Sequence, residues 1–242
     1  MIAAVALAIL TGITAAVAPQ PAKVPFGVGE KLVFDVRFGP LKVGTSTMEV
    51  REISYIRGRA AYKTYFRVQG GTFFYKVDDV LQSWIDTETL SSLRFTQTLE
   101  EGSRNRERHF EIYPDRSVFV EASKSPQEHQ SVARPLDDAS FLYFIRTIPL
   151  EIGQSYEFNR YFKPDRNPVK VRVMRRERIV VPAGTFNAIV VMPTIKSKGI
   201  FAEDGQAELW LSDDDRRIIL QLKTKVSFGS LNLFLRSYTP AK

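Results

Sequence analysis

Cysteine is absent from all 242 residues, and histidine occurs only twice, as His109 and His129. Without cysteine there is no disulfide framework, no thiolate metal ligand, no cysteine nucleophile and no lipid-modified cysteine. Two histidines leave little material for a nucleophilic triad, and no G-x-S-x-G elbow accompanies the serines. Gly70-Gly71 lacks the lysine and helix that a phosphate-cradling loop requires. Internal repeats are lacking too. Charge is missing from one stretch: Met1 to Ala18 has no charged side chain.

That stretch is mostly Ala, Val, Ile and Leu, and it ends in Thr14, Ala15, Ala16 and Ala18 before the proline-rich run 19–25. It reads as the apolar and cleavage regions of a secretory signal peptide over residues 1–18, then a linker over 19–25 and a single domain over 26–242. A cut after Ala16 fits better than one after Ala18, which would place Pro19 beside the scissile bond. The missing basic residue after Met1 departs from the usual pattern, and an uncleaved anchor helix is the alternative. The expected location is periplasmic or secreted. The formal charge of +7 stays with the mature chain, because the leader contributes none. In an envelope such an excess faces anionic lipid head groups and wall polymers; a dispersed basic surface serving solubility is the bland alternative. Nucleic acid is not an expected partner, and no cofactor is expected.

From Lys31 to Tyr238 apolar and polar residues alternate in short runs. Leu32, Phe34, Val36 and Phe38 interleave with Val33, Asp35 and Arg37; Tyr62, Thr64, Phe66 and Val68 interleave with Lys63, Tyr65 and Arg67. Side chains on a strand point to opposite faces in turn, so each run has one apolar and one wet face. Turn residues punctuate the runs, at Gly39-Pro40, Gly58, Pro114-Asp115, Pro182-Ala183-Gly184 and Asp213-Asp214-Asp215. The fold class expected is mainly β: a large curved antiparallel sheet, half-barrel or open barrel, with one short amphipathic helix. That helix spans Asp138–Arg146, where Phe141, Leu142, Phe144 and Ile145 recur at helical spacing behind an Asp cap and Pro149 stops the run. The polar stretch Lys124–Pro135 reads as a loop.

No set of residues points to catalysis, and the chain is expected not to be an enzyme. Glu107, His109 and Glu111 share one strand face and could line up as metal ligands, but Arg104, Arg106 and Arg108 beside them would repel a cation. The acidic pairs Asp78-Asp79, Asp137-Asp138 and Glu203-Asp204 are adjacent in sequence, so on a strand they diverge instead of converging as a hydrolase dyad must. Asp137-Asp138 reads as a helix cap and Asp213–Asp215 as a turn.

Aromatic residues are the most suggestive supply, with 17 Phe and 9 Tyr. Phe34, Phe66, Trp84, Phe95, Phe110, Phe141 and Trp210 are candidates to line an apolar cavity between sheet and helix, joined by Phe38, Phe73 and Phe74 in the general surplus. The same side chains could instead fill a packed core. Arg104, Arg106, Arg172 and Arg176 are candidates for a basic rim toward anionic lipid or polymer, against the simpler reading of solvated strand faces. The function these residues suggest is non-enzymatic binding of an apolar or amphipathic envelope ligand, such as a lipid or lipoprotein acyl chain. The alternative is a structural or protein-interaction module with a filled core.

Six strings occur in order: Phe26-Gly27-Val28-Gly29-Glu30-Lys31-Leu32, Leu41-Lys42-Val43-Gly44-Thr45, Phe74-Tyr75-Lys76-Val77-Asp78-Asp79, the helix from Asp138 to Arg146, Val181-Pro182-Ala183-Gly184-Thr185-Phe186-Asn187-Ala188, and Trp210 to Ile218. Together they resemble the exported bacterial family catalogued as domain of unknown function 3108, over about residues 26–238. The resemblance implies an envelope-localised, mostly β protein and supplies no catalytic residues. A weaker likeness, in strand order and in the Trp210–Ile218 hairpin, is to periplasmic lipoprotein-carrier half-barrels; it is an analogy of fold.

Overall fold

The computed structural model describes residues 23–71, 76–123, 126–196, 207–226 and 229–242. The expected signal peptide at 1–18, most of the expected linker, and Phe73 and Phe74 lie outside the described residues. The elements are β1 (Lys31–Phe38), β2 (Leu41–Ile56), β3 (Arg59–Gly71), β4 (Lys76–Asp86), β5 (Ser92–Glu101), β6 (Arg104–Tyr113), β7 (Val118–Glu121) and β8 (Glu128–Gln130). Then follow α1 (Ser140–Phe144), β9 (Ser155–Phe158), β10 (Val169–Val181), β11 (Gly184–Thr194), β12 (Glu208–Ser212), β13 (Ile219–Val226) and β14 (Gly229–Thr239).

All fourteen strands form one sheet, in the order β8-β7-β6-β5-β4-β3-β2-β1-β14-β13-β12-β11-β10-β9. Every named pairing is antiparallel, so the chain is a meander of hairpins cut into two halves. The halves join where the first strand meets the last, from Lys31 opposite Thr239 to Phe38 opposite Leu231. Register shifts interrupt β1, β2, β4, β10 and β12. Such bulges bend a strand and increase its twist, which lets a sheet this wide curl.

The sheet does not close strand to strand. Its edge strands are β8 and β9, and the segments after them meet instead: Leu136 bridges Tyr161, and the Phe162 amide donates to the Leu136 carbonyl at 2.9 Å. One departure from the sequence reading lies beside this seam: the polar stretch 124–135 contains the short strand β8, which pairs with β7. On the other side β9 ends at Phe158, where the chain leaves β10 to cross toward Leu136.

One large cluster of buried apolar residues fills the concave side. Its sheet side is built by inward positions facing each other across neighbouring strands, such as Met48 opposite Phe66 and Leu209 opposite Leu222. All five residues of α1 are buried against it. A helix of this length has no stability of its own, so tertiary contacts must hold it. Among the described residues no helix is long and apolar enough to cross a membrane.

Candidate functional site

The concave face and α1 are the natural place to look for a ligand chamber, and both ends of the helix segment are fastened. At its start, Asp137 is fully buried. Its Oδ1 accepts the amides of Ala139 and Ser140, both at 2.8 Å, which is the capping role the sequence suggested for this acidic pair. Its Oδ2 accepts the hydroxyls of Ser83 and Ser92 at 2.6 and 2.5 Å, tying the helix start to β4 and β5. Burial pushes the Asp137 carboxyl up to about 6, against the pull of these donors. Its neighbour Asp138 accepts the Tyr161 hydroxyl at 2.9 Å and the Gln97 amide at 3.3 Å, which adds the seam to the same network.

At the other end, the Arg146 side chain has no exposed surface and pairs with Glu30, itself buried. Two guanidinium nitrogens donate to the Glu30 carboxylate at 2.7 and 2.8 Å. The remaining donors reach the carbonyls of Pro25, Arg216 and Arg217, each at 3.0 Å. Phe26 lies 5.5 Å below the guanidinium. Three of the six strings quoted above therefore meet at one cation: Glu30 from the first, Arg146 from the helix, Arg216 and Arg217 from the last. Their shared role is to clamp α1 into the mouth between β1 and the β12–β13 turn.

Between the clamps the packing is tight. Among the described residues a void of about 10 Å³ lies between helix and sheet, and its lining is wholly apolar, including Phe34, Phe66, Leu142, Leu209, Leu222 and Leu233. A water-sized probe barely fits such a space. Of the candidate cavity residues, Phe34 and Phe66 line this void, and Phe95, Phe110 and Phe141 are buried in the surrounding core. Trp84 and Trp210 are corrections, because both sit on the opposite face of their strands. Ser83 and Ile85 point inward, whereas Trp84 is half-exposed beside Ile56, Ala61 and Leu93, with Lys63 and Arg94 over its ring at 5.9 and 5.5 Å. Trp210 alternates with the inward Leu209; its indole N–H donates to Glu177, and Arg175 lies 5.9 Å from the ring.

The four candidate rim arginines are all exposed. Arg104 and Arg106 share the face of β6 that carries Phe110, so they extend the concave side beyond the core. Arg172 instead alternates with buried Val171 and Val173, its guanidinium against the sulfurs of Met174 and Met192. Arg176 is paired with Asp213 at 2.9 Å. Among the described residues no hydrogen bond or ion pair joins these four into one rim. His109 pairs with Glu111 at 2.9 Å, and His129 stacks on Phe119. Among the described residues no three metal-ligating side chains converge.

The fold has solved relatives. A crystal structure of a β-barrel-like protein of domain of unknown function DUF1849 from Brucella abortus is similar with a TM-score of 0.61 and 9% identity, covering 91% of this chain and 100% of that one. Further matches are a protein of Parabacteroides distasonis provisionally described as a lipoprotein (TM-score 0.33, 11% identity) and one of Bacteroides fragilis provisionally described as exported, with a YmcC-like fold (TM-score 0.32, 10% identity). Each covers 91% of this chain and 100% of its own. No curated protein sequence matches this chain. The match of residues 33–236 to the family described as "Protein of unknown function (DUF3108)" spans most of the domain, and the chain belongs to that family.

Proposed function

We propose that this protein is a non-enzymatic component of the cell envelope that acts through its surface, as an interaction module built on a filled β half-barrel. The observation that carries this reading is the void of about 10 Å³ under a helix clamped at both ends. Admitting an acyl chain would require α1 to leave. Its departure would break the buried Glu30–Arg146 pair, the Asp137 contacts and the apolar packing together. An envelope address is supported by the uncharged apolar leader and by the basic excess of the remaining chain.

A second reading keeps the apolar ligand expected from the sequence, with α1 as its lid. What favours it is that the void, small as it is, lies between helix and sheet and has no polar lining. Native mass spectrometry of gently purified protein, followed by organic extraction, separates the two. The filled-core reading expects one homogeneous mass, unchanged on addition of fatty acid or phospholipid. Co-purified lipid that is lost when the helix is pinned to β1 by an engineered cross-link would overturn it in favour of the carrier. N-terminal sequencing of the periplasmic fraction tests export, with a mature start expected near residues 17–20.

A further inference from the structure

Strand β10 has a stretch of edge that no other strand covers. On one side it pairs with β11, from Lys170 opposite Thr194 to Val181 opposite Gly184. On the other side β9 accompanies only Val169 to Arg172, and one more residue, Val173, exchanges hydrogen bonds of 2.9 Å with Gly153 and Gln154. Val181 and Gly184 flank the tight turn Pro182-Ala183, and residues so placed exchange both backbone hydrogen bonds. Bonding alternates along an antiparallel pair, so Arg175, Glu177 and Ile179 also bond to β11. The N–H and C=O groups of Arg176, Arg178 and Val180 therefore point to the uncovered side. Among the described residues no backbone partner meets them there.

The side chains of these three residues share one face of the strand, and all are exposed. Glu177 and Ile179 between them face the body of the protein: Glu177 accepts the Trp210 indole N–H, and Ile179 packs against the core. The exposed face is cationic. Among the described residues Arg178 has no ion pair or hydrogen bond, while Arg176 shares Asp213 with Arg217, at 2.9 and 3.9 Å. Ile152 and Val180, both apolar and exposed, border the free stretch at its two ends; Ile152 precedes the Gly153 that bonds to Val173. Charge on a free edge guards against pairing with a second copy. Here the register that would pair all three residues with those of another copy sets Arg178 opposite Arg178, and like charges directly opposite are destabilising. An acidic strand meets the opposite balance.

We propose that an acidic, extended segment of a partner protein adds to this edge as a further antiparallel strand, with carboxylate side chains opposite Arg176 and Arg178 and an apolar one opposite Val180. Strand addition draws affinity from main-chain hydrogen bonds and specificity from alternate side chains. Both are offered by the same three residues: their backbone groups are unpaired, and their side chains select charge. Guanidinium groups also match carboxylates better than a lysine ammonium does. Antiparallel pairing is that of β9, whose line the added strand continues past Gly153. Resting on the interaction-module reading, this edge supplies the surface through which the protein acts and the chemistry of what it holds.

The test uses the full mature chain and, as acidic probe, the end-capped peptide valine-valine-glutamate-threonine-glutamate-valine. Hydrogen exchange read by NMR should slow at the amides of Arg176, Arg178 and Val180, which should exchange freely in its absence. A peptide with lysine in place of both glutamates should have no such effect. N-methylation of the two glutamates, whose N–H groups would face β10, should abolish the protection. N-methylation of the threonine and the second valine, whose N–H groups would face away, should leave it. R178E should weaken binding by about fivefold or more, and a peptide carrying lysine opposite position 178 should restore it. Lipid found in the interior would remove the filled-core reading without touching these outcomes, and a silent edge would leave that reading standing. Slowed exchange at the three amides in protein alone, growing with its concentration, would assign the edge to a second copy. That result, equal effects of the acidic and basic peptides, indifference to N-methylation of the glutamates, or no slowing at millimolar peptide would each overturn the proposal.

Discussion

Arg146 and Asp137 show how much of the architecture rests on single buried polar groups. Arg146 donates to Glu30 and to three backbone carbonyls, so R146A strands a buried carboxylate along with those acceptors. We expect a loss of about 3–5 kcal/mol, seen as a lower urea midpoint at unchanged slope. The paired exchange E30Q/R146M should recover much of it, since no unpaired charge then remains; an R146A protein as stable as wild type would refute the clamp. Asp137 has a pH signature. Its folded pKa of about 6 lies above the ordinary value near 3.9, so between roughly pH 4 and 6 the folded state holds a proton that the unfolded chain has lost. Its contribution to stability therefore falls as pH rises through that window and stays lower above it. D137N keeps an acceptor for the helix-start amides without the buried charge. From pH 4 to pH 7 the stability difference between wild type and D137N should move against the wild type by about 2–3 kcal/mol. A pH-independent difference in chemical denaturation would show that Asp137 does not titrate in this range.

At the scale of elements, α1 and the β2–β3 pair carry the clearest expectations. Leu142 projects from the helix into the void beside Phe34 and Phe66. L142A should destabilise by about 2–5 kcal/mol, because the removed methyl groups leave a cavity that clamped neighbours cannot collapse into. Calorimetric unfolding measures this, and a loss below about 1 kcal/mol would mean that α1 shifts freely on the sheet. Gly44 and Gly70 face each other across β2 and β3. A methyl group on Gly44 would strike the Gln69 carbonyl, and one on Gly70 the Val43 carbonyl, so both substitutions should cost about 1–3 kcal/mol or more in the same assay. The string Leu41-Lys42-Val43-Gly44-Thr45, read from sequence only as part of a resemblance, thus has a packing reason for its glycine. The helical spacing of Phe141, Leu142, Phe144 and Ile145 also marked the right segment, and α1 covers its middle. The partners of Asp137 and Arg146 were not legible, because Ser83, Ser92, Glu30 and Arg217 lie 45 to 116 residues away and carry no local signal.

For the whole molecule, the order of strands predicts an order of opening. The β1–β2 and β1–β14 pairings lie in the middle of the sheet, whereas β8 has three exposed residues at one edge. Hydrogen exchange should release β8 amides first and those of β1 last. Comparable protection of the two would contradict a sheet whose edge lies open at β8. Alternation along each run was enough to determine the class of fold, since a period of two separates an inner from an outer face without reference to any other part of the chain. It failed for Trp84 and Trp210 because the outer face is apolar there as well: Ile56, Ala61 and Leu93 surround the one, and buried Val190 lies opposite the other on β11. Where both faces are covered, the period disappears and the inward residue must be read from its partners. The same non-locality decides whether the half-barrel is hollow. Cavity volume is the small difference between the space a curved sheet encloses and the side chains that six strands and a helix send into it. The curl, the seam and the two clamps set that difference, and they exist only once residues far apart in the chain have met.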